Sequence, residues 1–145
     1  MIVAGCVGAA AVALPLLHRP VPVRAAAWLQ AVGVGIAAFA AIRFAPGFTP
    51  LPASLTAVAG ACAAAIAEEA LLRRMVVDRL LRFGPLLAIA AAAALFAVIH
   101  IPTHGTASVP LNLSGGLLLG WQRWATGGWS APAATHVAAN LLAFG

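Results

Sequence analysis

Two adjacent carboxylates and an arginine, Glu68, Glu69 and Arg73, occupy the stretch "AEEALLRRM" of a chain that has only three acidic residues in all. Further along, "LFAVIH" ends on His100, and "ATHVAANLLAF" sets His136 and Asn140 four residues apart. A carboxylate and an imidazole can orient and deprotonate a water, while an imidazole and a carboxamide can donate hydrogen bonds to a developing oxyanion. The asparagine is informative because its amide donates without changing protonation, which a site that only relays protons does not require. Glu68, His100, His136 and Asn140 together therefore point to hydrolysis, provided that they meet.

Their surroundings are apolar. Hydrophobic residues make up 63% of the 145-residue chain and charged residues 8%, and the mean hydropathy is +1.04. That composition is of an integral membrane protein, and ionisable groups inside a membrane span are functional candidates by default. Across a hydrocarbon core of roughly 30 Å, at about 20 residues per span, the chain holds a single membrane domain, residues 1–145, of about six transmembrane helices. The apolar segments run over 1–17, 25–42, 52–81, 85–101, 109–122 and 129–144, divided by loops rich in proline and glycine. None alternates as barrel strands do, so an all-α multi-span bundle is expected.

Every basic residue is an arginine and alanine dominates, a usage that suggests a bacterial source and hence a cytoplasmic (inner) membrane. Arg19, Arg24, Arg74, Arg79, Arg82 and Arg123, with Arg73, fall in odd-numbered loops and Arg43 on the other side. The positive-inside rule then sets both termini outside. No basic run alternates with aromatics as a nucleic-acid groove would. Cys6 and Cys62 are isolated and read as small hydrophobes.

Geometry can bring the polar groups together. Arg73 lies one helical turn after Glu69, so the two can pair and leave Glu68 turned about 100° around the helix. If the helix runs on to Arg82 and "RFGP" turns the chain, Glu68 lies ~21 Å before that turn and His100 ~22 Å after it, at equal depth. His136 and Asn140 join them if the last helix starts deep enough. Two other readings stay open. The charged stretch could be the end of a span with snorkelling arginines, and the polar groups could serve a transporter or a non-catalytic scaffold or immunity protein. A zinc-dependent protease using Glu68, His100 and His136 is the mechanistic alternative, although no HExxH stretch is present. Otherwise no cofactor is expected.

The remaining polar residues have plainer readings. His18 is an interfacial loop residue, and His104, one turn after His100, could line a cavity mouth if the helix survives Pro102 and Gly105. Asn112 and Ser114 read as helix-contact groups, and Trp121, Trp124 and Trp129 as an interfacial belt beside Arg123.

Three motifs carry a family resemblance. "EEALLR" resembles EExxxR, "FAVIH" resembles FxxxH and "HVAAN" resembles HxxxN of the CPBP (Abi) family of intramembrane proteases, related to type II CAAX prenyl endopeptidases. The segment from Gly120 to Phe144 is similar to that family's final block, and the resemblance covers about residues 60–145, leaving residues 1–50 as two unspecific spans. It implies that Glu68 and His100 activate the attacking water and that His136 and Asn140 form an oxyanion hole. Glu69, Arg73 and Phe96 would be supporting, with the Glu69–Arg73 pair fixing Glu68 and reaching a substrate carboxylate. The implied partner is a membrane-anchored or lipidated peptide or protein. Leu72 and Arg74 depart from the family pattern, which has an aromatic before the arginine and a glycine after it. The chain is also short beside the family, and its compact members resemble myxosortase-type proteases of C-terminal sorting tails.

Overall fold

The computed structural model describes residues 25–144. The expected first span, with Cys6, His18, Arg19 and Arg24, lies outside the described residues. Helix α1 (Ala25–Arg43) is followed by an irregular connection and then by α2 (Leu55–Glu69), whose N-cap is Ser54, with its Oγ accepting from the Ala57 N–H. The chain does not turn after α2. It continues through a π-helical stretch (Ala70–Val76), a short α3 (Val77–Leu80) and a 3₁₀ turn (Leu81–Phe83). Gly84, at φ +108°, supplies the reversal, a conformation open to glycine and strained for other residues, and Pro85 starts α4 (Pro85–His104).

α4 runs a turn further than the expected 101, past Pro102. A proline in a last turn removes one hydrogen bond from a helix that is ending anyway, and Gly105 closes it, at φ +73° with its N–H on the Ile101 carbonyl at 2.8 Å. A 3₁₀ turn (Thr106–Ser108) leads to α5 (Val109–Thr126), and α6 (Ser130–Ala143) completes the described chain. No strand is present among the described residues beyond one isolated bridge between Leu51 and Phe144.

Among the described residues, three helices are long and apolar enough to cross a membrane: Ala25–Arg43, the continuous Leu55–Phe83 and Pro85–His104. The expected segments 109–122 and 129–144 are helical, but neither qualifies as a span by itself. At its 14 residues α6 rises about 21 Å, short of a core near 30 Å. α5 carries Asn112, Ser114, Gln122, Arg123 and Thr126 along its length.

Small residues set the helix spacing. α4 and α5 pack closely, and a Cβ added at Gly116 would come within 2.8 Å of the Ala93 Cα, at Gly120 within 2.9 Å of Ile89 Cγ2. Gly116 and Gly120 are four apart, the small-xxx-small spacing that lets membrane helices approach. At the other side of α5, buried Gln122 donates from Nε2 to the Ala31 carbonyl (2.6 Å) and to Thr135 Oγ1 (2.9 Å), tying α1 and α6 to α5. Asn112 and Ser114 do not bridge helices as expected. Asn112 donates to Ser108 Oγ and Ser114 to the Pro110 carbonyl, both one turn back.

Candidate active site

The carboxylates of Glu68 and Glu69 leave α2 in different directions and meet different partners. Glu69 is fully buried; its Oε2 lies 3.2 Å from Arg73 Nε and its Oε1 3.1 Å from His136 Nδ1. Since a carboxylate only accepts, His136 donates from Nδ1, and its Nε2 is left to face the site. The Glu69–Arg73 pair thus forms as its spacing predicts, but the residue it holds directly is His136, on α6, where Glu68 was expected.

Arg73 is as deeply buried. Its Nη2 donates to the Gly116 carbonyl at 3.2 Å, and its guanidinium sits 5.2 Å from the centre of the Phe96 ring. Its side chain has no exposed surface in this packing, and its partners here are Glu69, the Gly116 carbonyl and the Phe96 ring. Arg73 Nε and Nη1 make no well-aligned hydrogen bond, so coulombic attraction to Glu69 and the ring face compensate much of its burial.

Glu68 is half-open, with 24% of its side chain exposed. Its Oε2 lies 3.8 Å from His100 Nε2 and 4.0 Å from His136 Nε2. His100 donates from Nδ1 to the Phe96 carbonyl at 2.8 Å, because a carbonyl has no proton to give. Both imidazoles are therefore anchored through Nδ1 and present Nε2 toward the same carboxylate oxygen, with a gap on the scale of one water among the three atoms. Phe96 packs between them, its ring 4.3 Å from His100 and 5.4 Å edge-on to His136. The equal-depth estimate for Glu68 and His100 holds.

A cavity of about 290 Å³ opens beside this cluster. His100, His136 and Asn140 are on its wall together with Phe96, and apolar Phe39, Ile42, Phe48 and Leu51 line it further out. Glu68 touches the wall through the imidazoles. Asn140 donates one N–H to the Ala61 carbonyl at 2.9 Å, which pins α6 to α2 and leaves the second N–H of the amide available. His104 is also on the wall, its ring stacked 5.7 Å from that of His100.

A model of type II CAAX prenyl endopeptidases of the Rce1-like kind matches residues 49–142. The chain belongs to this Rce1-like family. No curated protein and no solved structure matches it. Membership assigns the chain to CAAX-type intramembrane proteases in general, and the apolar helices agree with a membrane location. The matched region contains the whole of the Glu68–His100–His136–Asn140 cluster and begins just before Leu51, whose N–H is bonded to the Ala143 carbonyl at 2.8 Å.

Part of what builds this Rce1-like site is not visible in its motifs. The π-helical turn, with Val77 N–H reaching back to the Leu72 carbonyl, widens the helix directly after the glutamates. Its Arg73 carbonyl accepts from Arg123 Nε at 3.1 Å, and Arg123 also forms a partly buried ion pair with Asp78. Arg123 is only 7% exposed, so it belongs to the helix packing and not to a cytoplasmic loop as expected, and neither it nor Arg73 bears on topology. Trp121 and Trp124 beside it are exposed, as a belt requires. Charge accounting was the available signal: Asp78 is the third and last acidic residue, and an arginine had to answer it.

Proposed function

We propose that the protein is a glutamate-dependent intramembrane endopeptidase that hydrolyses a peptide bond in a membrane-anchored or lipidated peptide or protein. The observation that carries this reading is the approach of Glu68 Oε2 to the Nε2 atoms of both His100 and His136, at 3.8 and 4.0 Å, against a cavity wall. A water held among these atoms gives one proton to the Glu68 carboxylate, while His100 Nε2 accepts its other hydrogen and turns its lone pair toward the scissile carbonyl. Oxygen bonds to the carbonyl carbon, and the carbonyl electrons move onto its oxygen. The free N–H of Asn140 and a protonated His136 Nε2 donate to that oxyanion, and buried Glu69 provides the counter-charge for the imidazolium. Collapse breaks the C–N bond, and Glu68 returns the proton to the departing amine.

Phe96 and Arg73 act here as positioning residues, the first as a spacer between the imidazoles and the second as the paired cation that fixes the Glu69 carboxylate against His136. The setting is a multi-pass protein of a bacterial cytoplasmic membrane. The test compares membrane peptides in cells carrying the wild type or Glu68→Gln. An uncleaved precursor accumulates only in the variant if the reading is right; unaltered processing in Glu68→Gln would rule it out. Strong chelation of the purified protein, followed by zinc, separates this mechanism from the metal-dependent one. Loss of cleavage with recovery on zinc would make Glu68, His100 and His136 ligands.

A further inference from the structure

We infer that Arg43 is the anion-recognition point of the cavity and that it holds a carboxylate carried by the peptide substrate. The inference rests on the endopeptidase reading and deepens it by naming what fixes the peptide's register. Arg43 is the last residue of α1 and lines the same cavity as His100, His136 and Asn140. The chain has three acidic residues. Glu69 is taken by Arg73 and His136, Asp78 by Arg123, and Glu68 faces the imidazoles. Arg43 forms no ion pair or side-chain hydrogen bond among the described residues.

Two aromatic rings hold the guanidinium instead, Phe44 at 5.6 Å and Phe48 at 5.3 Å from ring centre to Cζ. A cation over a π face is steadied without losing its N–H donors. Its fork of donors is thus left without an acceptor among the described residues. Contact with lipid headgroups alone would not require the arginine to share a cavity wall with His100, His136 and Asn140. The bed is also tied to the reacting groups: Phe48 and Leu51 share one connection, and Leu51 is bonded to the Ala143 carbonyl at the end of α6, the helix of His136 and Asn140.

A carboxylate suits the site better than a phosphate. Among the described residues Arg43 is the only arginine on the wall; the other polar residues there are His100, His104, Ser108, Asn112, His136 and Asn140. One planar guanidinium matches one singly charged carboxylate in a bidentate pair, whereas a phosphate monoester carries more charge than a single arginine balances. The other wall residues, among them Phe39, Ile42 and Leu111, would take the apolar side chains next to that carboxylate.

Binding tests the site without turnover. Purified full chain in an uncharged detergent is titrated with decanoate, decyl phosphate or decanol while its thermal midpoint is followed. Decanoate should raise the midpoint of wild type and of Glu68→Gln by a few degrees at saturation, Arg43→Lys should keep part of the shift, and Arg43→Gln should lose it. Absence of a decanoate shift in wild type, or an equal shift in Arg43→Gln, overturns the proposal. A response to decyl phosphate matching or exceeding that to decanoate makes Arg43 a lipid-headgroup site and overturns it too. With the precursor found in Glu68→Gln cells as substrate, Arg43→Gln should raise KM about tenfold for the acid form and leave its amide analogue unaffected, a loss typical of a charge-assisted hydrogen bond. Equal loss on both forms overturns the proposal. Failure of the Glu68→Gln comparison alone would sink the endopeptidase reading and leave the decanoate result to decide whether Arg43 binds an anion.

Discussion

Glu68 and Glu69 are consecutive residues on one helix, yet they belong to regions that work by opposite rules. Around Glu69 the charges are sealed and matched: Arg73 on one side, His136 on the other, with Arg123 and Asp78 continuing the network one turn along. Around Glu68 the groups stand near one another without closing, at 3.8 and 4.0 Å, on a half-open surface beside a cavity. In a low-dielectric interior a matched charge becomes a rigid strut, and removing its partner is expensive. An unmatched but oriented charge keeps its reactivity for something that arrives later. The difference teaches that the first region should report on folding and the second on turnover.

The sharpest test of that division is Glu68→Gln, which should reduce cleavage by about 10³-fold, within the range for loss of a general base, while the thermal midpoint stays where it is. A large fall in the midpoint would erase the distinction between the two regions. Next comes Arg73→Met, which leaves buried Glu69 without its cation and should destabilise by roughly 3–5 kcal/mol in denaturant titration. Adding Glu69→Gln to it should restore much of that stability but not the activity, because His136 would no longer have a charged partner. Gly116→Val tests the packing under the strut, since Gly116 both receives Arg73 Nη2 and touches Ala93 backbone. About 1–3 kcal/mol is expected from overpacking, with residual activity tracking the folded fraction. The smallest effect belongs to Thr135→Val, next to His136 in sequence but turned to Gln122 instead of the carboxylates. It removes one hydrogen bond of Gln122 while leaving the one to Ala31, and should cost about 1 kcal/mol with kcat unchanged.

Which residues would meet was legible to different degrees. The Glu69–Arg73 pair followed from helical spacing, and the Glu68–His100 approach from counting residues on either side of a Gly-Pro turn, because a helix is a ruler with a constant rise. His136 joining them was conditional on the depth of α6, which no local pattern supplied. The destination of the Glu69 carboxylate was misread for the same reason: a residue's neighbours within its own helix are encoded by spacing, but its neighbours across helices depend on how those helices cross. The π-helical stretch from Ala70 to Val76 left no composition signal at all, since its residues are ordinary helix formers.

What the sequence determined by itself is the chemistry: an apolar, all-helical chain with three motifs in order, and the four groups Glu68, His100, His136 and Asn140 as its candidate reactive set. Apolarity and periodicity are properties of the chain, so they can be read along it. Tertiary structure alone decided that Glu69 holds His136, that Arg123 is buried against Asp78 and the Arg73 carbonyl, and that Arg43 lines the cavity of His100, His136 and Asn140. Each of these depends on close helix crossings such as the one at Gly116 and Gly120, where the absence of side chains sets how near two backbones come and therefore which distant charges can touch.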